Sequence, residues 1–240
     1  MRRIGLIGGL SWLSSLHYYR LLNELAGRKF GPGNAADVCL VNVNLVEYDA
    51  LLYGGQESKA KKLLLDAALD AQHAGAETVA LCSNGAHTFF DAVEAALDVP
   101  MMHIADATAR EIRASRIDKV GLLGVRRTME DDFYRSRLAR AGISSIVPDD
   151  DERTFIHDSI FSELVQGRFE EATRQAYVEI INGLEGRGAR GVVLGCTEIP
   201  LLIDQSHVQS RLLPTLDIHC RELFQWATRP GPAGAAKDNA

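Results

Sequence analysis

Ile4-Gly5-Leu6-Ile7-Gly8 near the start of the chain and Val120-Gly121-Leu122-Leu123-Gly124 in its middle are one short apolar strand written twice, each running into a glycine turn. A second pair repeats the pattern: Gly75-Ala76-Glu77-Thr78-Val79-Ala80-Leu81 and Gly188-Ala189-Arg190-Gly191-Val192-Val193-Leu194. The echoed strands are almost equally spaced in the two halves, from Leu6 to Leu81 and from Leu122 to Leu194. Apolar runs bounded by glycine, each followed by a segment of helical periodicity, are the pattern of βα units in a parallel sheet. The expected fold class is therefore α/β: two pseudo-symmetric domains, each a small parallel sheet flanked by helices, with the active site in the cleft between them.

Working outward from the echo, strands are expected at residues 3–7, 36–43, 78–82, 101–104, 119–123, 145–148 and 191–194. Helices are expected at 14–26, 58–74, 105–115, 129–141, 151–165, 170–186 and 219–228. The domain division that follows joins 1–103 with 213–228 and sets 104–212 apart as the second domain. The Gly/Ala/Pro-rich end, 229–240, has no periodicity and reads as a disordered tail.

The 240 residues are 46% hydrophobic and 24% charged, the composition of a globular chain. A formal net charge of −6 supplies no basic field for nucleic acid or an acidic membrane surface. No uncharged run is long enough to span a bilayer, and Met1-Arg2-Arg3 enters a buried strand directly instead of a secretory leader. A cytoplasmic location is expected, with Cys39, Cys82, Cys196 and Cys220 as free thiols. None of them has the pair spacing of a zinc site, so no metal is expected.

In open parallel sheets ligands bind beyond the carboxyl ends of the strands, where the echo places Cys82-Ser83-Asn84 in one half and Gly195-Cys196-Thr197 in the other. Cys196 is followed by Thr197 and Glu198, a thiol beside a hydroxyl and a carboxylate. A backbone nest or helix N-terminus there would lower the thiol pKa toward neutrality and make it a usable base. Aligning Leu81 with Leu194 pairs Ser83 with Cys196, so Ser83 is the group expected to face the thiol, and Cys82 to turn into packing. Asn84, Gly85 and Thr197 are read as anchors for a substrate carboxylate, with His87 and Glu198 orienting them from behind.

The loop Gly8-Gly9-Leu10-Ser11-Trp12 lacks the third glycine of a dinucleotide fingerprint, which argues against nicotinamide or flavin, but Leu10 and Ser11 can cradle a small anion. The equivalent loop, Gly124-Val125-Arg126-Arg127-Thr128-Met129, offers Thr128 as a further binding residue. No lysine stands at a buried strand end, so a pyridoxal Schiff base is not expected either.

Ile4 to Trp12 with Tyr18-Tyr19-Arg20-Leu21-Leu22-Asn23, Asn84-Gly85-Ala86-His87, His103 to Thr108, Thr128 to Tyr134 and Gly195-Cys196-Thr197-Glu198 together resemble the aspartate/glutamate racemases of the Asp/Glu/hydantoin racemase superfamily. The resemblance runs from the N-terminus to about Ile203. It is greatest to the L-aspartate/glutamate-specific type, which has a hydroxyl residue in place of the first catalytic cysteine. It implies a cofactor-independent amino-acid racemase, commonly a homodimer, using two bases on opposite faces of the substrate Cα. Cys196 then corresponds to the second family cysteine and Ser83 to the first. Gly85 replaces a threonine that helps hold the substrate carboxylate. Where several aspartate racemases carry basic residues that grip a second carboxylate, this sequence has Tyr48 and Val165. Two alternatives stay open: a single-cysteine enzyme resembling arylmalonate decarboxylases, and a ligand-binding protein with a degenerate racemase site.

Overall fold

The computed structural model describes residues 1–230, so the expected tail lies, from residue 231 on, outside the described residues. Two all-parallel sheets form the frame. The first has the order β2-β1-β3, from β1 (Ile4–Gly8), β2 (Val38–Asn42) and β3 (Thr78–Leu81). The second has the order β5-β4-β6-β7, from β4 (Lys119–Leu123), β5 (Ser144–Ile146), β6 (Gly191–Leu194) and β7 (Arg211–Pro214).

The sequence echo is reproduced in the strand register. Ile7 pairs with Leu81 in the first sheet, and Leu123 pairs with Leu194 in the second. β1, β3 and β6 are buried along their whole length, which is why they read as continuous apolar runs with no alternation.

The helices are α1 (Trp12–Phe30), α2 (Leu45–Tyr53), α3 (Glu57–His73), α4 (Phe90–Glu94), α5 (Ile104–Ala114), α6 (Arg126–Glu130), α7 (Asp132–Arg140), α8 (Asp150–Ser162), α9 (Glu171–Gly186), α10 (Ile199–Leu202) and α11 (Thr215–Thr228). A 3-10 turn, Gly85–Phe89, links β3 to α4. Ala60, Leu64, Ala67, Ala68 and Ala71 turn one face of α3 onto the first sheet. Tyr177, Ile180, Ile181 and Leu184 do the same for α9 on the second. Each such leucine or isoleucine stabilises the fold by about 1.5–3 kcal/mol relative to exposure. α11 is the seam: Leu216, Cys220 and Leu223 pack with Ile4, Leu6 and Tyr18, whereas Ile218 joins the core around Ile104 and Leu122.

Four expectations change. Residues 101–104 make only an isolated bridge, Met101 to Val79, because Pro100 has no N–H to extend a ladder and the His103 ring already caps α5 by accepting from the Ala105 N–H. The helix expected over 129–141 is two helices, broken at Asp131, whose ψ of 155° is extended. α2 and β7 were not expected; β7 carries only one fully buried side chain, Leu213, and so lacks a strong apolar signal. β7 straddles the expected boundary at residue 213 and is bonded to β6, and α11 then returns to pack on α1 and α5.

Candidate active site

Both polar strand ends open into one cleft. Its lining includes Leu10, Ser11, Ser83, Asn84 and Gly85 from the first half and Gly195, Cys196, Thr197 and Glu198 from the second. Gly195 is required where β6 ends: a Cβ there would lie 2.6 Å from the Leu123 carbonyl oxygen, which accepts a hydrogen bond from the Gly195 N–H at 2.7 Å. This close approach of β4 and β6 delivers Cys196 to the cleft.

Cys196 donates through Sγ to Oε2 of Glu198 at 3.1 Å. Thr197 donates to the same oxygen at 3.0 Å, and Ser14 donates to Oε1 at 2.7 Å. Ser14 Oγ and Thr197 Oγ1 also lie in contact with each other. Three donors on a buried carboxylate satisfy it as an acceptor, and one of the three, Ser14, comes from α1 in the opposite half. The expected lowering of the thiol pKa is overturned. Burial first, and the Glu198 charge second, push the Cys196 thiol well above its ordinary range, outweighing the backbone N–H groups of Thr197 and Glu198 that favour the thiolate. The helix that follows, α10, has only four residues and contributes little dipole.

On the other side Ser83 is half-buried, and its carbonyl is held by His87. His87 Nε2 accepts from the Ile104 N–H at 3.2 Å, so Nδ1 carries the proton that is donated to the Ser83 carbonyl at 2.8 Å. Burial lowers its pKa to about 4 and keeps it neutral. His87 lies outside the cleft lining and clamps the end of β3 to the start of α5. Cys82 is buried among Ile4, Tyr18 and Cys220, as its packing role requires.

Ser11 heads α1 with φ 73° and ψ 115°, a strained backbone for a residue with a side chain, and its buried hydroxyl has no partner. No side chain caps α1, so the first N–H groups of this 19-residue helix, which begins directly after the cleft-lining Ser11, lack a side-chain acceptor. Asn84 donates through Nδ2 to Thr215 Oγ1 at 3.0 Å, and Thr215 donates to the Leu194 carbonyl; Asn84 Oδ1 has no partner. The site therefore offers a hydroxyl and helix donors for a carboxylate, and a carbonyl-type acceptor for an ammonium group.

Thr128 does not line the cleft. It is fully buried under the two glycine turns, with its methyl 3.0 Å from where a Gly195 Cβ would stand. Its neighbour Arg127 lines the cleft instead, bonded through Nη1 to Glu57 and through Nε to Asp131, each at 3.0 Å. The sequence reading also missed Asp49 and Tyr53, for α2 carried no motif. Tyr48 and Val165 do line the cleft. No lysine is among the lining residues, and no metal-binding cluster of His, Cys, Asp or Glu occurs among the described residues. No helix among them is long and apolar enough to cross a membrane.

A thiol and a hydroxyl thus stand at equivalent strand ends of two echoed βα halves, and the comparisons show that these halves form a racemase-type fold. Residues 7–223 match the Asp/Glu/hydantoin racemase model, and the chain belongs to that family. A Yersinia pestis protein proposed to be an Asp/Glu racemase is 40% identical, with a TM-score of 0.88 over 95% of this chain and 100% of its own. An aspartate racemase homologue from Pyrococcus horikoshii is 35% identical, with a TM-score of 0.83 over 95% and 100%. The broad specificity amino-acid racemase RacX of Bacillus subtilis is 22% identical over 89% of this chain and 92% of its own.

Proposed function

We propose that the protein is a cofactor-independent amino-acid racemase, of the type acting on aspartate, glutamate or a related amino acid, and that it works as a cytoplasmic homodimer. The observation that carries the reading is that Cys196 and Ser83, equivalent by the sequence echo, line one cleft from opposite halves. The substrate carboxylate is held by Ser11 and the open end of α1, and its ammonium group by Asn84 Oδ1.

Cys196 works through Glu198. The thiol passes its proton to Oε2 across the 3.1 Å hydrogen bond, and the thiolate then takes the α-proton from one face. The Ser83 hydroxyl delivers a proton from solvent to the other face. Glu198 returns its proton to the hydroxide left behind, so the chain ends as it began. Donors at the carboxylate stabilise the charge that develops there. Ser83 is a weaker acid/base than a thiol, so the proton transfers on the two faces are unsymmetrical.

Proton NMR in D₂O with the L- and D-forms of aspartate and glutamate tests the reading. Loss of the α-proton signal with chiral inversion, absent in Cys196→Ala, is the expected result. No exchange with these or with neutral and basic amino acids overturns it. A second reading draws on the protonated resting thiol, the state needed to protonate a carbanion left by decarboxylation; it requires release of carbon dioxide from a malonate-type acid.

A further inference from the structure

Beyond the reacting atoms the cleft continues along Leu45, Tyr48, Leu52, Val125, Ile160 and Val165, a wall suited to methylene groups. It then opens into an outer groove that shares Asp49, Tyr53 and Phe161 with it and adds His157, Asp158 and Ser162. The two halves meet at this mouth, with the Tyr53 and His157 rings 6.4 Å apart and His157 and Phe161 5.0 Å apart.

The charges there are lopsided. The cation lining the cleft, Arg127, is matched by two carboxylates, Glu57 and Asp131. Asp49 and Asp158 are additional, and neither has a hydrogen-bond or ion-pair partner among the described residues. Arg126, next in the chain, is turned away to Glu130 and Thr154. His157 is neutral, since burial lowers its pKa and Nδ1 accepts from the Arg126 N–H. Burial raises the Asp49 carboxyl to about 6, the behaviour of a carboxylate lacking a cation. A second carboxylate on a substrate would add to an existing negative excess. A cation would relieve it, and the Tyr53 and Phe161 rings offer π faces beside it.

Resting on the racemase reading, we propose that this subsite selects amino acids whose side chain is a methylene stem ending in an ammonium or guanidinium group, with Asp49 as the carboxylate that receives it. The stem lies on the apolar wall and the charge stands at the wet mouth.

The test compares α-proton exchange of L-lysine, L-ornithine, L-methionine, L-aspartate and L-glutamate by the wild-type chain, Asp49→Asn and Asp49→Arg. Lysine or ornithine is expected to exceed aspartate and glutamate in kcat/KM by at least about tenfold. Asp49→Asn is expected to lower the lysine-to-methionine ratio about tenfold through KM, and Asp49→Arg to shift preference toward the acidic pair. Preference for aspartate or glutamate in the wild type, or an unchanged lysine-to-methionine ratio in Asp49→Asn, overturns the proposal. Thermal stabilisation by the same amino acids reads the subsite without turnover. If no amino acid exchanges, the racemase reading fails. Stabilisation by lysine that is lost in Asp49→Asn would still support the subsite, and stabilisation by aspartate alone would overturn it.

Discussion

The Cys196 thiol donates to Glu198 Oε2 at 3.1 Å, and the same carboxylate is held at Oε1 by Ser14 at 2.7 Å from the opposite half of the molecule. Thiol chemistry and the contact between halves therefore share one side chain.

Because the Glu198 charge raises the thiol pKa, Glu198→Gln should bring it down while removing the proton acceptor. The expected outcome is faster alkylation of Cys196 at pH 7–8 together with an exchange rate lower by about 10²-fold, the usual scale of a lost acid/base partner. Iodoacetamide kinetics against pH, with Cys196→Ala as the blank, check this. An alkylation profile identical to wild type would refute the coupling.

Ser14→Ala removes one donor to Glu198 and the contact with Thr197, both in a buried setting. It should cost about 1–2 kcal/mol of stability and lower kcat more than it raises KM. Ser14→Thr keeps the hydroxyl and should recover most of the kcat. Urea melts and exchange kinetics separate the two effects; a stability loss with kcat intact would leave Ser14 a merely structural residue.

Two glycines at the cleft should respond oppositely. Gly195→Ala drives a methyl to 2.6 Å from a backbone oxygen and should destabilise by roughly 2–3 kcal/mol. At Gly85 the nearest atom to a new Cβ is Val125 Cγ2 at 3.7 Å, an ordinary contact, so Gly85→Thr should melt within a few degrees of wild type and lower KM by adding a hydroxyl donor. Calorimetry of both variants, with exchange kinetics of Gly85→Thr, checks this.

Buried histidines set an acid limit. Burial lowers His87 to about 4 and His219 to about 3, below their unfolded values near 6.5. The unfolded chain thus binds protons that the folded chain refuses, so stability is complete above about pH 6.5 and falls as pH drops through the window to 4. Each histidine steepens the fall by up to about 1.4 kcal/mol per pH unit. His219→Gln should flatten the denaturation profile between pH 6.5 and 4; an unchanged slope would contradict this account.

The frame was legible in the chain because its signals are local. The β1/β4 and β3/β6 echoes depend only on apolar runs punctuated by glycine, and the structure sets the echoed strands in equivalent register, Ile7 with Leu81 and Leu123 with Leu194. Cys196, Ser83, Asn84 and Thr197 were found for the same reason, since strand ends of a parallel sheet point to the cleft. β7 and α2 were not legible: one is a short strand with a single buried side chain, the other a helix with no motif.

By itself, then, the sequence determined the duplicated α/β architecture and the two polar strand ends that line the cleft, because period and glycine punctuation are properties of neighbouring residues. Only the tertiary structure decided that Thr128 sits under the turns while Arg127 reaches the cleft, that Ser14 holds Glu198 from α1, and that Asp49 stands without a cation at the mouth. The tertiary structure also decided the direction of the Cys196 thiol pKa, because burial is its largest cause. Burial and charge balance are sums over residues distant in the chain, which no local stretch records.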